Sequence, residues 1–398
     1  MHYMEVGGAE RALLGLLNAL DPKMVDIDLF INQHTGLLMP LIPKHVNLLP
    51  ERKGYNVIER SMVTALKKGQ IGVLYGRLKA KWQSAQYHKS LQESLRSYDN
   101  SGFQYVADCV NSFLPSLSDL GEYDLAISFL QPHNIVMNKV MAKKRIAWIH
   151  TDYSAVHINT DKELPIWGAF DYIASISPDC TRAFLEKFPS LKDKIIEIEN
   201  ILSVPLVRRQ AEQFDVVSEM PLIKDGIKQL RLLSIGRFCH PKNFDNVPDI
   251  AKEVVDAGFG NLKWYIIGFG GDESLIRQKI ADAGMEDHVI MLGKKENPYP
   301  YIKACDIYVQ PSRYEGKSIT VREAQILCKP VVITNYATAK SQVIDGVDGV
   351  IVPMDNEACA QGILSVINDK VLQERLVFYL STHDYGNEQE VNKIYELI

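Results

Sequence analysis

DIYVQPSRYEGKSITVREAQILC, residues 306–328, reads as a strand, a loop and a helix in immediate succession. Residues 306–312 are a strand-length run rich in apolar and β-branched side chains. Residues 313–318 hold Arg313, Glu315, Gly316 and Lys317, and TVREAQILC has the spacing of an amphipathic helix. A turn of this kind aims the first N–H groups of the helix at whatever stands in front of it. Here those belong to Lys317, Ser318, Ile319 and Thr320, at the end of the helix dipole that favours an anion. The stretch also carries two carboxylates, Glu315 and Glu323. Glu323 stands three residues after Thr320, the spacing of a capping box, and Glu315 suits a turn. Alternatively, both face a ligand in front of the helix.

Strand-then-helix succession extends over most of the 398 residues. Apolar runs at 26–31, 123–129, 144–150, 171–177 and 194–200 alternate with helical patterns, as do runs at 231–236, 262–268, 288–293, 306–312 and 329–334. This is the signature of βαβ units and mostly parallel sheets, an α/β class. The stretch 201–228, with Pro205 and Pro221, has neither period and reads as a linker between two α/β domains, 1–205 and 206–369.

Composition removes several function classes. A formal net charge of −5 argues against nucleic acid, whose affinity comes from clustered cations. Six scattered cysteines without a CxxC pair suggest neither a disulfide framework nor a zinc knuckle. No apolar run reaches the length of a membrane span, and residues 1–20 lack a signal-peptide core, so a cytoplasmic protein is expected. One segment departs from the average: 51–96 holds ten Lys and Arg against three Glu, interleaved with Ile71, Val73, Leu74, Tyr75, Leu78 and Trp82. A basic helix bearing an aromatic suits an anionic membrane surface, and also suits a solvated helical face.

Two further loops stand at strand-to-helix turns. Gly7 and Gly8 open the helical pattern ALLGLLNAL, where a backbone can approach a phosphate or sugar closely. Only Met1–Val6 precedes them, less than the central strand such a loop should follow. The expectation is therefore a first strand that begins upstream, or a first sheet with an open slot. The second loop, after the run 231–236, carries Arg237 and Lys242 at the C-terminal edge of a parallel sheet, where open α/β sheets bind ligands. Two cations there suit a diphosphate.

Taken in order, the Gly-Gly helix start, the Gly-Arg-x4-Lys loop and Glu-Gly-x6-Glu-Ala resemble the retaining, nucleotide-sugar-dependent glycosyltransferases of family 4. KPVVITNYATAKSQVIDGVDGVIVPMD resembles that family's strand, switch loop and hairpin, and AWIH, ending in His150, resembles its first-domain histidine site. The resemblance implies the GT-B fold, two facing Rossmann-like domains, with a C-terminal helix, 370–398, that packs back on the first. It implies a nucleoside diphosphate sugar as donor, UDP-linked, and a growing polysaccharide or lipid-linked glycan as acceptor. Arg237 and Lys242 would hold the diphosphate, with backbone donors at Gly8, Gly316, Lys317, Ser318 and Ile319. Glu323 would take the ribose, and Glu315 and His150 the transferred sugar. Neither a metal ion nor a cofactor is expected, because two cations and helix N-termini can neutralise the leaving diphosphate. Gln342 stands where many members carry glutamate, and QILCK, 325–329, replaces a small-residue run, which leaves the sugar open. Two other classes fit the same fold: a UDP-sugar 2-epimerase, and a nucleotide-sugar-binding scaffold without activity.

Overall fold

The computed structural model describes every residue except Val6, Ser97, Tyr98, Asp152, Ser154 and Ala155, and the backbone alone of Ser94. The chain divides into two compact units, Met1–Ile201 with Glu388–Ile398, and Leu202–Asn387.

In the first unit a four-stranded parallel sheet runs in order β3 (Glu122–Ser128), β4 (Met141–Ile149), β5 (Tyr172–Ser175), β6 (Ile195–Glu197). Two short strands, β1 (Asp28–Leu29) and β2 (Asn47–Leu48), form a separate parallel pair. The run 26–31 thus yields two strand residues rather than six. The expected strand over Met1–Val6 is not one across its described residues 1–5, and Val6 lies outside them.

The second unit is a six-stranded parallel sheet. After a hairpin, β7 (Ile223–Lys224) and β8 (Ile227–Lys228), come β9 (Leu230–Ile235), β10 (Leu262–Ile267), β11 (Val289–Gly293), β12 (Ile307–Gln310), β13 (Val331–Thr334) and β14 (Val350–Val352). Their order is β11-β10-β9-β12-β13-β14. Alternate residues feed two cores: Leu232, Trp264, Ile266 and Val309 pack on one face, Leu233, Tyr265, Tyr308 and Ile333 on the other. Burial on both faces is why these strands read as continuous apolar runs. The chain leaves β9 toward β10 on one side and returns to β12 on the other, so the β9/β12 boundary is a topological switch point, where a crevice opens at the strand ends.

Two boundaries differ from expectation. The stretch 201–228 contains the helix Val204–Ala211, started by Pro205 and burying Val207 and Ala211 in the second unit's core, with Val216 and Met220 following them. Of the expected returning segment, residues 370–387 stay with the second unit, in which Leu376 and Leu380 are buried. The part that joins the first unit is Glu388–Ile398, tied by a bond from the Glu199 N–H to the Glu390 carboxylate and from Lys393 Nζ to the Glu197 carbonyl. All six cysteines are free thiols.

Candidate active site

The loops that follow β9 and β12 are fastened to each other at the switch point. Asn243, in the left-handed region at φ 60°, donates from Nδ2 to the Pro311 carbonyl at 2.8 Å. The Arg313 guanidinium grips the Asp245 carboxylate with two bonds of 2.8 Å and donates a third to the His240 carbonyl. That pairing helps hold the Asp245 carboxyl below its ordinary range, against the opposing effect of burial. Gly268 admits the neighbouring loop: a Cβ there would sit 1.9 Å from the Gly236 carbonyl oxygen.

Lys242 and Glu315 meet in this clasp. Lys242 Nζ lies 2.6 and 2.7 Å from the two carboxylate oxygens. Oε1 of Glu315 also accepts from Ser312 Oγ at 2.6 Å and Gln310 Nε2 at 3.2 Å, and Tyr308 donates to the Gln310 amide oxygen. Glu315, Gln310 and Ser312 are buried. A buried carboxylate needs a cation and further donors, and this one has both. The sequence reading gave Lys242 to the diphosphate and Glu315 to the sugar separately; the structure joins them. Arg237 is exposed, in no ion pair among the described residues.

The helix Ile319–Ile326 has Ser318 as its N-cap, two residues earlier than a capping box led by Thr320 requires. Thr320 is therefore its second residue and Glu323 its fifth, so that box does not form. Glu323 is wholly buried, with Tyr299 Oη donating to its Oε1 at 2.8 Å. The donors in front of the helix also differ from expectation. Gln342 Oε1 accepts the Ser318 N–H at 3.1 Å and the Tyr336 hydroxyl at 2.8 Å, while its Nε2 donates to the Ser318 carbonyl. Gln342 thus occupies the Ser318 N–H that an anion was expected to take. Gly316, Lys317 and Ile319 are half-buried around it.

In the first unit, Gly8 opens the helix Gly8–Ala19 after Gly7 as N-cap. The Glu10 carboxylate lies against Gly7, so a negative group of the chain itself stands before this helix, where a diphosphate was expected. His150 follows β4 and packs between Phe129, at 4.5 Å, and Trp148, at 6.2 Å between ring centroids. Its Nε2 is shielded from water and has no hydrogen-bond partner among the described residues. Burial lowers His150 to about 3; His133, bonded to Ser128 Oγ, falls to about 3 through burial and then through His150.

Those two values fix a pH dependence. Both lie below the ordinary 6.5, so as pH falls the unfolded chain protonates first. The stability from keeping these rings neutral is complete above about 6.5 and is lost downward toward 3, by up to about 1.4 kcal/mol per pH unit per ring. Amide protection factors in β3–β6, corrected for the intrinsic exchange rate, are expected to fall between pH 7 and pH 5. Unchanged protection over that range would contradict the neutral, buried assignment.

Comparison with known proteins bears on the family and the fold. Residues 224–379 match the family described as Glycosyl transferases group 1. A glycosyltransferase of Methanocaldococcus jannaschii with no assigned reaction is 23% identical over 61% of this chain and 65% of its own length. The amylovoran biosynthesis glycosyltransferase AmsD of Erwinia amylovora is 26% identical over 42% of this chain and 47% of its own. The matched part of the chain spans from 37% to 65% of the length of these curated relatives. Among solved structures, HepE of Anabaena in complex with UDP-glucose aligns over 100% of this chain and 98% of its own, with 14% identity and a TM-score of 0.68. The fold is GT-B, and the second unit carries a domain of the group 1 glycosyl transferases.

Proposed function

We propose that this chain is a retaining glycosyltransferase that moves a hexose-type unit from a UDP-linked sugar to a growing polysaccharide or lipid-linked glycan. The observation that carries this reading is the pairing of half-buried Lys242 with buried Glu315 at the switch point of the matched group 1 region. An ammonium fixed there is preorganised for charge that develops on a departing diphosphate, which is where a fixed donor contributes most. Exposed Arg237 supplies the second cation. In the reaction the C1–O bond to the diphosphate breaks, the acceptor oxygen bonds to C1 on the same face, and the acceptor proton passes to the departing phosphate oxygen. Glu315 is a poor covalent nucleophile, because both its oxygens already accept hydrogen bonds. It is assigned to the hydroxyls of the transferred sugar, Glu323 to the ribose, and the shielded Nε2 of His150 to a sugar hydroxyl. Gly8, Gly316, Lys317, Ser318 and Ile319 are assigned backbone contacts to the donor, with Gln342 and Glu10 giving way. The complex of HepE with UDP-glucose supports a UDP-linked donor, and AmsD supports a polysaccharide product. NMR of the product formed from a UDP-α-sugar tests the stereochemistry: an α-linkage is expected, and a β-linkage would contradict retention.

A lipid-linked acceptor is supported by a relative in Campylobacter jejuni, 28% identical over 37% of this chain, named as a diphospho-undecaprenol N-acetylgalactosaminyltransferase. It is supported too by the helix Ile71–Ser90. That helix packs through small residues: a Cβ on Gly76 would come within 2.7 Å of the Cys109 carbonyl oxygen, and Ala80 is fully buried. Its large apolar side chains are left outside. Ile71, Tyr75, Leu78 and Trp82, spaced four, three and four, are each more than half exposed, near exposed Lys67, Lys68, Lys79 and Lys81. No helix among the described residues is long and apolar enough to cross a membrane. Surface contact is the proposed mode, on the cytoplasmic face. Replacing Tyr75 and Trp82 together by serine is expected to cut partitioning onto anionic vesicles by about 10²-fold. Equal recovery of the unaltered chain on neutral and anionic vesicles would refute membrane contact.

A further inference from the structure

Gln310 stands where the pattern of β12 calls for an apolar side chain. It comes two residues after Tyr308, so it shares the face that Tyr308 packs on with Leu233 and Ile333, and it is wholly buried. A buried amide costs free energy unless its donors and acceptor are paired. Here they are: Nε2 donates to Ser312 Oγ at 2.9 Å and to Glu315 Oε1 at 3.2 Å, and Oε1 accepts from Tyr308 Oη at 2.7 Å and Thr320 Oγ1 at 3.3 Å. An apolar side chain of similar volume would fill the same place without these demands, so packing alone does not call for the amide.

The effect of the amide falls on Glu315. Each carboxylate oxygen offers about two lone pairs. Oε1 accepts from Lys242 Nζ at 2.6 Å, Ser312 Oγ at 2.6 Å and Gln310 Nε2 at 3.2 Å, and is full. Oε2 accepts at 2.7 Å from Lys242 Nζ, its one donor among the described residues. One oxygen is thus held by β12 and its loop, while the other keeps room for a further donor.

We infer that Gln310 is a positioning residue: with Ser312 it fixes the Glu315 carboxylate so that Oε2, and not Oε1, receives a hydroxyl or amide N–H of the transferred sugar. This rests on the reading that Glu315 meets that sugar. It adds a demand on the substrate, because a carboxylate paired with an ammonium accepts and does not donate. The sugar must carry a hydrogen-bond donor at the ring position that faces Oε2, and a sugar with a bare methylene there is rejected.

The test measures UDP release from UDP-glucose, UDP-galactose and UDP-N-acetylglucosamine, with UDP affinity and melting temperature, for the full chain carrying Gln310→Leu, Glu315→Gln or both. Gln310→Leu is expected to lower kcat by about tenfold and to leave UDP affinity within about twofold. Added to Glu315→Gln, it should change kcat by less than about twofold, since the residue it positions no longer acts. Tyr308→Phe combined with Gln310→Leu removes the hydroxyl that the single change strands, so melting temperature should recover while kcat stays low. A Gln310 that merely braced the loop would shift Lys242 and Ser318 as well. In that case Gln310→Leu would weaken UDP binding and lower kcat about as much again in the Glu315→Gln chain. Either result, or full kcat in Gln310→Leu, overturns the inference while Glu315 keeps its place. Unaltered kcat in Glu315→Gln would instead remove Glu315 from the sugar, and the inference with it.

Discussion

Replacing Lys242 with alanine is expected to lower turnover of the donor by about 10²–10³-fold and unfolding free energy by about 3 kcal/mol. The two effects have different origins. Stability falls because the buried Glu315 carboxylate loses its ammonium partner and is left with only neutral donors, Ser312 and Gln310. Turnover falls because, in the proposed role, the ammonium that would face the diphosphate is gone. The double variant Lys242→Ala with Glu315→Gln separates them: without the buried charge, stability should return in part, while turnover stays low. Measuring kcat and melting temperature for the two single variants and the double decides the matter. A pair that is structural alone would leave turnover near the unaltered value wherever the protein remains folded.

Glu323→Gln is expected to weaken UDP binding by about tenfold or more, the loss of a hydrogen bond to a charged acceptor. Glu315→Gln should leave UDP affinity within about twofold and act on turnover instead, as expected of contacts that strengthen toward the transition state. The structure sharpens this contrast. Glu323 is fully buried beneath the Tyr299 hydroxyl, so a ribose held as proposed would take the place of that donor. Tyr299→Phe should accordingly hold or raise UDP affinity while lowering the melting temperature. Calorimetric titration of UDP into the three variants measures all of this. UDP affinity unchanged in Glu323→Gln would remove Glu323 from the ribose site.

What was legible in the sequence follows from burial. Runs such as LKWYIIG and KPVVIT are apolar throughout because β10 and β13 are covered on both faces, so they stand out as strands. The run 26–31 shrank to β1 because one edge faces a cavity rather than a neighbouring strand. The helix Val204–Ala211 was read as linker because two turns bury too few side chains to print a period. In the basic segment the helix packs through Gly76 and Ala80, so its inward face carries no apolar signal and its large residues mark the outward one.

The candidate site residues stand out one by one in the sequence, but their arrangement does not. Lys242 and Glu315 are visible as charges after strand ends, yet their separation of 73 in the sequence hides their bond. Gln310 and Ser312 carried a weak sign, polar residues closing an otherwise apolar run, and it passed as the end of a strand. Tyr299 gave none, since an aromatic in a core helix is ordinary. Gln342 was noted as a departure from a family pattern; its clasp on Ser318 depends on a fold-back that spacing alone does not reveal.

The most direct test incubates the full chain with UDP-, GDP- and ADP-hexoses in the presence of EDTA and measures nucleotide release. The account predicts release of UDP from a UDP-hexose, undiminished by the chelator and lost in the Lys242→Ala, Glu315→Gln double variant. No release from any donor, or release that strictly requires a divalent ion, would contradict it.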